Sequence, residues 1–236
     1  MNFSRQEKPQ EISRAAFFGT ILNSIAAIFW KDFLIGIRRR ATFAAMMMFA
    51  LTTIAALSLS MHGGIVEENF LSALLWVIIF FATDAGISGT FDDEQNAGTL
   101  STLKLYAEPQ AILFGKMLFV FVSLSLLTIF LSPIFLILFD CEVKNIWLFI
   151  ATLLFGVIGF SASGTLTAAL TTSALVKGGL FPILLFPIAL PIFLSAIQLT
   201  EFAFTGEIFS ADLLIMLAAY DLILIIAASI LYDYLD

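Results

Sequence analysis

The sequence contains very little cysteine, histidine or positive charge. One cysteine, Cys141, occurs in 236 residues, so an internal disulfide and a thiolate cluster are both excluded. The 11 Lys and Arg residues against 18 Asp and Glu give a net charge of −7, which argues against nucleic acid as a partner. The acidic residues are scattered and indicate no other partner.

Apolar residues, in contrast, are abundant. They make up 61% of the chain, 26 of them are Phe, and the mean hydropathy is +1.04. A water-soluble fold must cover its outside with polar groups, whereas a bilayer core requires runs of about 20 apolar residues. The composition predicts an all-α integral membrane protein, with no residues left for a soluble catalytic domain.

Six hydrophobic segments are long enough to cross a bilayer as helices. Several contain proline, which neighbouring helices tolerate by satisfying the freed carbonyl groups. Polar residues 1–14 precede them as a cytoplasmic segment, and residues 15–236 form one transmembrane domain. The predicted spans are 42–61, 70–90, 113–139, 146–170, 180–199 and 213–231.

The basic residues orient these spans. With the N-terminus inside, ten of the eleven Lys and Arg residues lie in or next to the inner segments, and Lys144 alone lies outside. Because short loops rich in Lys and Arg stay in the cytoplasm, both termini are predicted to be cytoplasmic.

Residues 15–37 are predicted to form an amphipathic helix in the membrane interface, since their apolar side chains recur at spacings of three and four. The apolar part, Ala15 to Trp30, is short for a span, and a span would carry Arg38–Arg40 to the side opposite Arg14. The alternative is a cleaved signal peptide with a site near Ser24, which would leave the basic cluster outside.

Three motifs suggest a functional site, but each has a simpler explanation. Gly115-Lys116 lacks the other residues of a phosphate loop, so Lys116 is predicted to be an interfacial anchor or a contact for lipid phosphate. Ser161 lacks the base of a serine protease, and small residues on this helix are predicted to allow close helix packing, namely Gly156, Gly159 and Ser163. His62, the only histidine, is a weak candidate for a haem ligand; no other metal site is predicted.

Two further features of the sequence suggest a function. Asp84 lies within the second span, where a carboxylate is costly and usually functional; pairing with Lys116 or a hydroxyl is the simpler explanation. In the cytoplasmic segment 91–112, Thr99 can cap a short helix whose Leu100, Leu103 and Tyr106 share one face. Such a helix suits docking into a groove of a soluble partner, and the alternative is an ordinary solvated loop.

Four stretches in a fixed order resemble a known family. They are Trp30-Lys31 through Arg38–Arg40; Phe91, Asp93, Glu94, Gly98–Leu100 and Leu103 with Pro109 and Lys116 downstream; Gly159–Thr165; and Ala169–Thr171, Lys177–Gly179, Pro187 and Pro191. In these residues the chain resembles the haem exporter protein B family, the permease subunit of the cytochrome c maturation ABC transporter, which has the ABC-2-type fold.

The resemblance implies a permease without enzymatic activity, working in a bacterial inner membrane. It implies a homodimer that carries ABC ATPase subunits, a separate haem-handling membrane subunit, and haem as cargo but not as a covalently bound cofactor. The ATPase-coupling loop would contain Phe91, Asp93, Glu94, Gly98, Thr99, Leu100, Leu103 and Tyr106. The alternatives are an ABC-2 permease for a lipid, polysaccharide or drug, and a non-transporting scaffold for assembly factors.

Overall fold

The structure is a computed structural model that describes residues 14–38, 40–61, 66–87, 98, 103, 105–173, 180–208 and 211–234. Seven long helices account for most of these residues, and no strand occurs among them. They are α1 (Arg14–Arg38), α2 (Arg40–Ser60), α3 (Glu68–Ile87), α4 (Pro109–Leu138), α5 (Ile146–Ser173), α6 (Leu180–Thr205) and α7 (Ala211–Tyr234).

Helices α2 to α7 are each long and apolar enough to cross a membrane, and α1 is not among these six. The prediction of an all-α membrane protein with six spans is therefore confirmed. All six helices extend beyond the predicted hydrophobic segments at one end or both, and two of them do so by four residues or more. α4 begins at Pro109, four residues before the predicted span, and α6 continues to Thr205, six residues after it, because a helix does not have to end where its apolar run ends.

Local chemistry explains where α4 begins and ends. Proline occupies its first position, where the missing N–H costs no hydrogen bond. At the other end Asp140 adopts the left-handed conformation, with φ 48°. This turn lets the N–H of Cys141 donate to the carbonyl of Leu136 at 3.0 Å, which closes the helix as a Schellman motif does.

The central helix of the bundle is α5, which packs against α3, α4, α6 and α7. Residues 161–169 of α5 are buried without exception. In α2 and α7, by contrast, only 17% and 22% of the spanning windows are buried, so these two helices present most of their apolar surface to the outside. A membrane helix can do this at no cost, because lipid tails are as apolar as its side chains.

Contacts between helix ends define two ends of the bundle. At one end Ser58 donates to the carbonyl of Leu138 at 3.1 Å, and Lys144 donates to that of Thr205 at 3.1 Å. We call this the acidic end, because Glu67, Glu68, Asp140, Glu142 and Glu207 lie there. At the opposite end the Gln110 amide donates to Asp233 at 3.2 Å. We call this the basic end, because the predicted inner segments that contain most Lys and Arg residues join the helices on this side.

Helix α1 packs mainly on α4. A Cβ atom on Gly115 would lie 2.8 Å from Ile28, and one on Gly36 would lie 3.1 Å from Phe119. The nine residues of α1 from Ile28 to Gly36 therefore face only five of α4, from Gly115 to Phe119.

Candidate functional site

The junction of α1 with α4 is built around a buried lysine. The Lys116 side chain is only 1% exposed, and its Nζ atom lies 3.4 Å from Oδ2 of Asp32, a residue of α1 whose side chain is 10% exposed. The other carboxylate oxygen of Asp32 lies 3.0 Å from Nζ of Lys31. One carboxylate is thus held between two ammonium groups, and this arrangement ties α1 to the bundle.

Gly115 allows the two helices to approach closely enough for this pair. Its Cα faces Ile28, and an added Cβ would also lie 3.2 Å from the carbonyl oxygen of Ile25. The neighbouring residues Gly115 and Lys116 therefore have complementary roles, since the glycine admits α1 and the lysine pairs with its carboxylate. Sequence reasoning noticed this dipeptide but missed Asp32, because a partner on another helix leaves no trace in local spacing.

The structure departs from the expectation that Lys116 anchors the chain at the membrane surface. Its ammonium group is buried against Asp32 instead of lying where it could contact lipid phosphate. The simple explanation for Asp84, pairing with Lys116 or a hydroxyl, is not seen either. Asp84 lies in the last turn of α3, and its Oδ1 has no hydrogen-bond partner among the described residues.

The predicted coupling loop is described only in part. Phe91, Asp93, Glu94, Thr99 and Leu100 lie outside the described residues. Gly98 forms an exposed turn with φ 68°. Leu103 begins a helical turn, since its carbonyl accepts the N–H of Ala107 at 3.0 Å.

The side chains of this turn point in different directions. Leu103 packs against the hydrophobic core of the chain itself, whereas Leu105 and Tyr106 are 84% and 86% exposed. Among the described residues of the turn, Leu105 and Tyr106 therefore form the exposed apolar surface. Leu103 would support this surface from behind.

The small residues of α5 lie against bulky groups. A Cβ on Gly156 would lie 2.0 Å from the Trp76 ring, which also stacks on Phe160 with ring centroids 5.8 Å apart. The indole N–H of Trp76 donates to the Thr200 hydroxyl at 2.8 Å, so the whole side chain is satisfied although it is buried. Ser163 is buried and donates to the carbonyl of Phe160 at 3.2 Å.

Sequence reasoning missed a second buried carboxyl group, that of Asp221 in the middle of α7. It is 3% exposed, and neither of its oxygens has a hydrogen-bond partner among the described residues. A Cβ on Gly159 would lie 2.4 Å from its Oδ1 and 2.8 Å from Ile192, so the carboxyl fills the space left by that glycine. The sequence does contain a signal for this residue, namely an aspartate inside a run of apolar residues.

Next to Asp221, the Tyr220 hydroxyl donates to the carbonyl of Ile188 at 2.8 Å. This carbonyl lies three residues before Pro191, one of two prolines inside α6. A proline removes one backbone donor and displaces the preceding turn. The hydroxyl supplies a donor at this point, so α7 helps to stabilise the proline-containing part of α6.

The acidic end shows no sign of metal chemistry in the described part of the chain. No group of three or more His, Cys, Asp or Glu residues suitable for a metal ion occurs there, and His62 lies outside the described residues. Burial, with a smaller contribution from Glu68, raises the pKa of Cys141 to about 11. Its thiol is therefore protonated at neutral pH and is a poor nucleophile or metal ligand.

Comparison with known proteins agrees with the family suggested by the sequence. No curated protein matches the chain. The model of the family described as CcmB protein matches residues 23–231, which include all six spans and the part of α1 that contacts α4. A match over most of the sequence, on a bundle with six potential spans, establishes that the chain belongs to the CcmB protein family.

Proposed function

We propose that this chain couples ATP hydrolysis on a partner subunit to movement within the membrane during haem export. Membership of the CcmB protein family supports a role as a haem-export component of the ABC transporter for cytochrome c maturation. In this proposal an ABC ATPase is the partner and the chain is not itself an enzyme. The coupling, the homodimer, the haem-handling membrane subunit and the inner-membrane location with cytoplasmic termini are parts of the proposal.

One observation carries the coupling proposal. The exposed pair Leu105 and Tyr106 comes three residues before α4 begins at Pro109, and Lys116 on the second turn of α4 is paired with Asp32 of α1. An ATPase that binds the exposed pair would act directly on the first turn of α4. Because the ion pair fixes α1 to α4, both helices would move together.

Haem is the proposed cargo. A conduit must release its cargo, so strong iron ligands are not required for transport. The function of the chain would then be mechanical, with chemistry supplied by the ATPase and haem handling supplied by another membrane subunit.

The coupling proposal is tested by placing a charge in the exposed pair. Leu105→Asp and Tyr106→Asp should insert normally but bind the ATPase on the order of a hundredfold more weakly, because a charge without a partner at an interface costs several kcal/mol. Binding is measured by co-purification, and coupling by the stimulation of ATP hydrolysis.

The matched control is Ile208→Asp. Ile208 is 100% exposed and belongs to the acidic end, so the same charge there should leave ATPase binding unchanged. If both loop variants kept full binding and full stimulation, the docking surface would lie elsewhere. A chain that binds the ATPase but never alters its hydrolysis would be a scaffold.

A further inference from the structure

A cavity of about 560 Å³ lies between α1, α2 and α4. Its wall comes from the last turns of α1 and α3, the first two turns of α2, and the part of α4 from Phe119 to Leu126. This volume falls within the range of about 300–1,000 Å³ that is typical of ligand sites. None of the residues considered above for coupling lines it.

The wall offers a ligand almost nothing but hydrocarbon, aromatic and thioether surface. Among the described residues of the wall, Ser123 is the only one with a polar side chain, and that hydroxyl already donates to the carbonyl of Phe119 at 2.9 Å. A cavity of this kind holds no well-bound water, since water needs two or more polar partners. Its ligand must therefore bring an apolar part.

Small residues create the space, and the cavity opens on the surface of the bundle. Gly36 and Ala44 stand in the wall, and a Cβ on Gly36 would lie 3.1 Å from Phe119. Ile37 and Leu126, also in the wall, are 54% and 40% exposed. A molecule in the surrounding membrane could therefore enter without any separation of the helices.

Positive charge borders one end of the cavity. Arg38 is exposed and directly follows Ile37 of the wall. Arginine matches the geometry of phosphate oxygens. Basic clusters at a membrane surface attract anionic headgroups, each base contributing about fivefold in affinity.

The direction of α4 shows which way the cavity extends. α4 runs away from the basic end, so Phe119 is the nearer part of its wall and Leu126 lies seven residues deeper, roughly 10 Å along the axis. The cavity thus extends from Arg38 toward the membrane interior. An acyl chain attached to a phosphate headgroup has this same order of charge and hydrocarbon.

We propose that the cavity binds one acyl chain of an anionic phospholipid, whose phosphate is held by Arg38. The bound lipid fills the space between α1, α2 and α4 and stabilises α1 on the bundle. This inference does not depend on the proposed coupling to an ATPase.

The test uses the tryptophan of α1 as a reporter. Trp30 stacks on Phe33 of the cavity wall, with ring centroids 5.8 Å apart. The full chain is reconstituted in phosphatidylcholine bilayers that contain a minor fraction of lipid brominated on its acyl chains, either phosphatidylglycerol or phosphatidylcholine. Bromine quenches tryptophan at short range, but Trp76 and Trp147 also fluoresce, so the Trp30 signal is taken as the difference between each chain and the same chain carrying Trp30→Phe. The ratio of Trp30 quenching by the two lipids then measures preferential binding.

Wild-type chain should be quenched more by brominated phosphatidylglycerol than by brominated phosphatidylcholine. Ala44→Phe, which fills the cavity, should abolish the difference. Ala45→Phe adds the same ring to the neighbouring residue, outside the wall, and should retain it. Arg38→Gln should lower the preference about fivefold without filling the cavity, so it tests the proposal even if Ala44→Phe does not fold.

Two results would overturn the proposal. Equal quenching by the two lipids in the wild-type chain would mean that only ordinary surrounding lipid is present. Displacement of phosphatidylglycerol from the purified complex by equimolar haem, followed by native mass spectrometry, would assign the cavity to the cargo.

Discussion

Asp32 and Asp221 are both buried aspartates, yet the chain accommodates them in different ways. Asp32 lies between Lys31 and Lys116, at 3.0 and 3.4 Å, and joins α1 to α4. Asp221 lies inside the bundle against Gly159, with no hydrogen-bond partner among the described residues. The first carboxylate is stabilised by opposite charge, and the second by being packed as a small side chain.

The difference has a physical consequence for each region. A buried ion pair holds two elements in a fixed orientation, but its stability depends on both partners being present. A buried carboxyl without a partner is tolerable only as a neutral group, since an isolated charge there would be far too costly. Substitutions should therefore affect the two regions differently.

The largest effect is expected at the ion pair. Asp32→Leu removes the carboxylate that faces Lys116 and leaves that ammonium group buried, which should cost about 3–5 kcal/mol of unfolding free energy. The free energy is measured by unfolding in mixed detergent micelles.

The double variant Asp32→Leu with Lys116→Met is the control. It replaces the pair with apolar groups, which is often neutral or even stabilising, so most of the loss should be recovered. If the double variant were as unstable as the single one, the α1–α4 junction would not depend on charge pairing.

An intermediate effect is expected where glycine admits a neighbouring helix. Gly156→Ala places a Cβ 2.0 Å from the rigid indole of Trp76, while Gly115→Ala places one 2.8 Å from the Ile28 side chain, which is a smaller overlap. Overpacking costs about 1–3 kcal/mol, and Gly156→Ala should lie at the upper limit. Thermal unfolding of the two variants side by side would show the order, and a reversed order would contradict it.

The smallest effect is expected at Asp221. Asp221→Asn keeps the shape of the side chain and removes only its ability to ionise, so a neutral group there predicts a cost below about 1.5 kcal/mol. Asp32→Asn should cost several times more, because its charge faces two ammonium groups. Comparable losses in both variants would mean that Asp221 carries a charge that some partner stabilises.

The sequence predicted the membrane-spanning architecture well, for a simple physical reason. Each of the six spans is a long local run of apolar residues, and a bilayer imposes a length on such runs that is independent of tertiary contacts. The ends of the individual helices were less predictable. The predicted fifth span ends at residue 199, yet α6 continues through Glu201, whose carbonyl accepts the Thr205 hydroxyl at 3.0 Å.

The candidate site was predicted less completely, because its partners come from different helices. Lys116 was noticed from its position, but the choice of Asp32 over Asp84 depends on how α1 crosses α4. Asp221 could have been found by asking which ionisable residues lie within a span. The cavity beside α1 could not, since its space depends on small residues that are distant in sequence.

The contact between Trp76 and Gly156 also constrains how this chain can evolve. A side chain at position 156 becomes less costly once the ring at position 76 is smaller, so the order in which the two substitutions arise decides how unstable the intermediate is. Phe at position 76 would open that route, although it would leave the Thr200 hydroxyl without its indole donor. We therefore expect these three positions on three helices to change together, so that relatives that differ at one of them differ at the others.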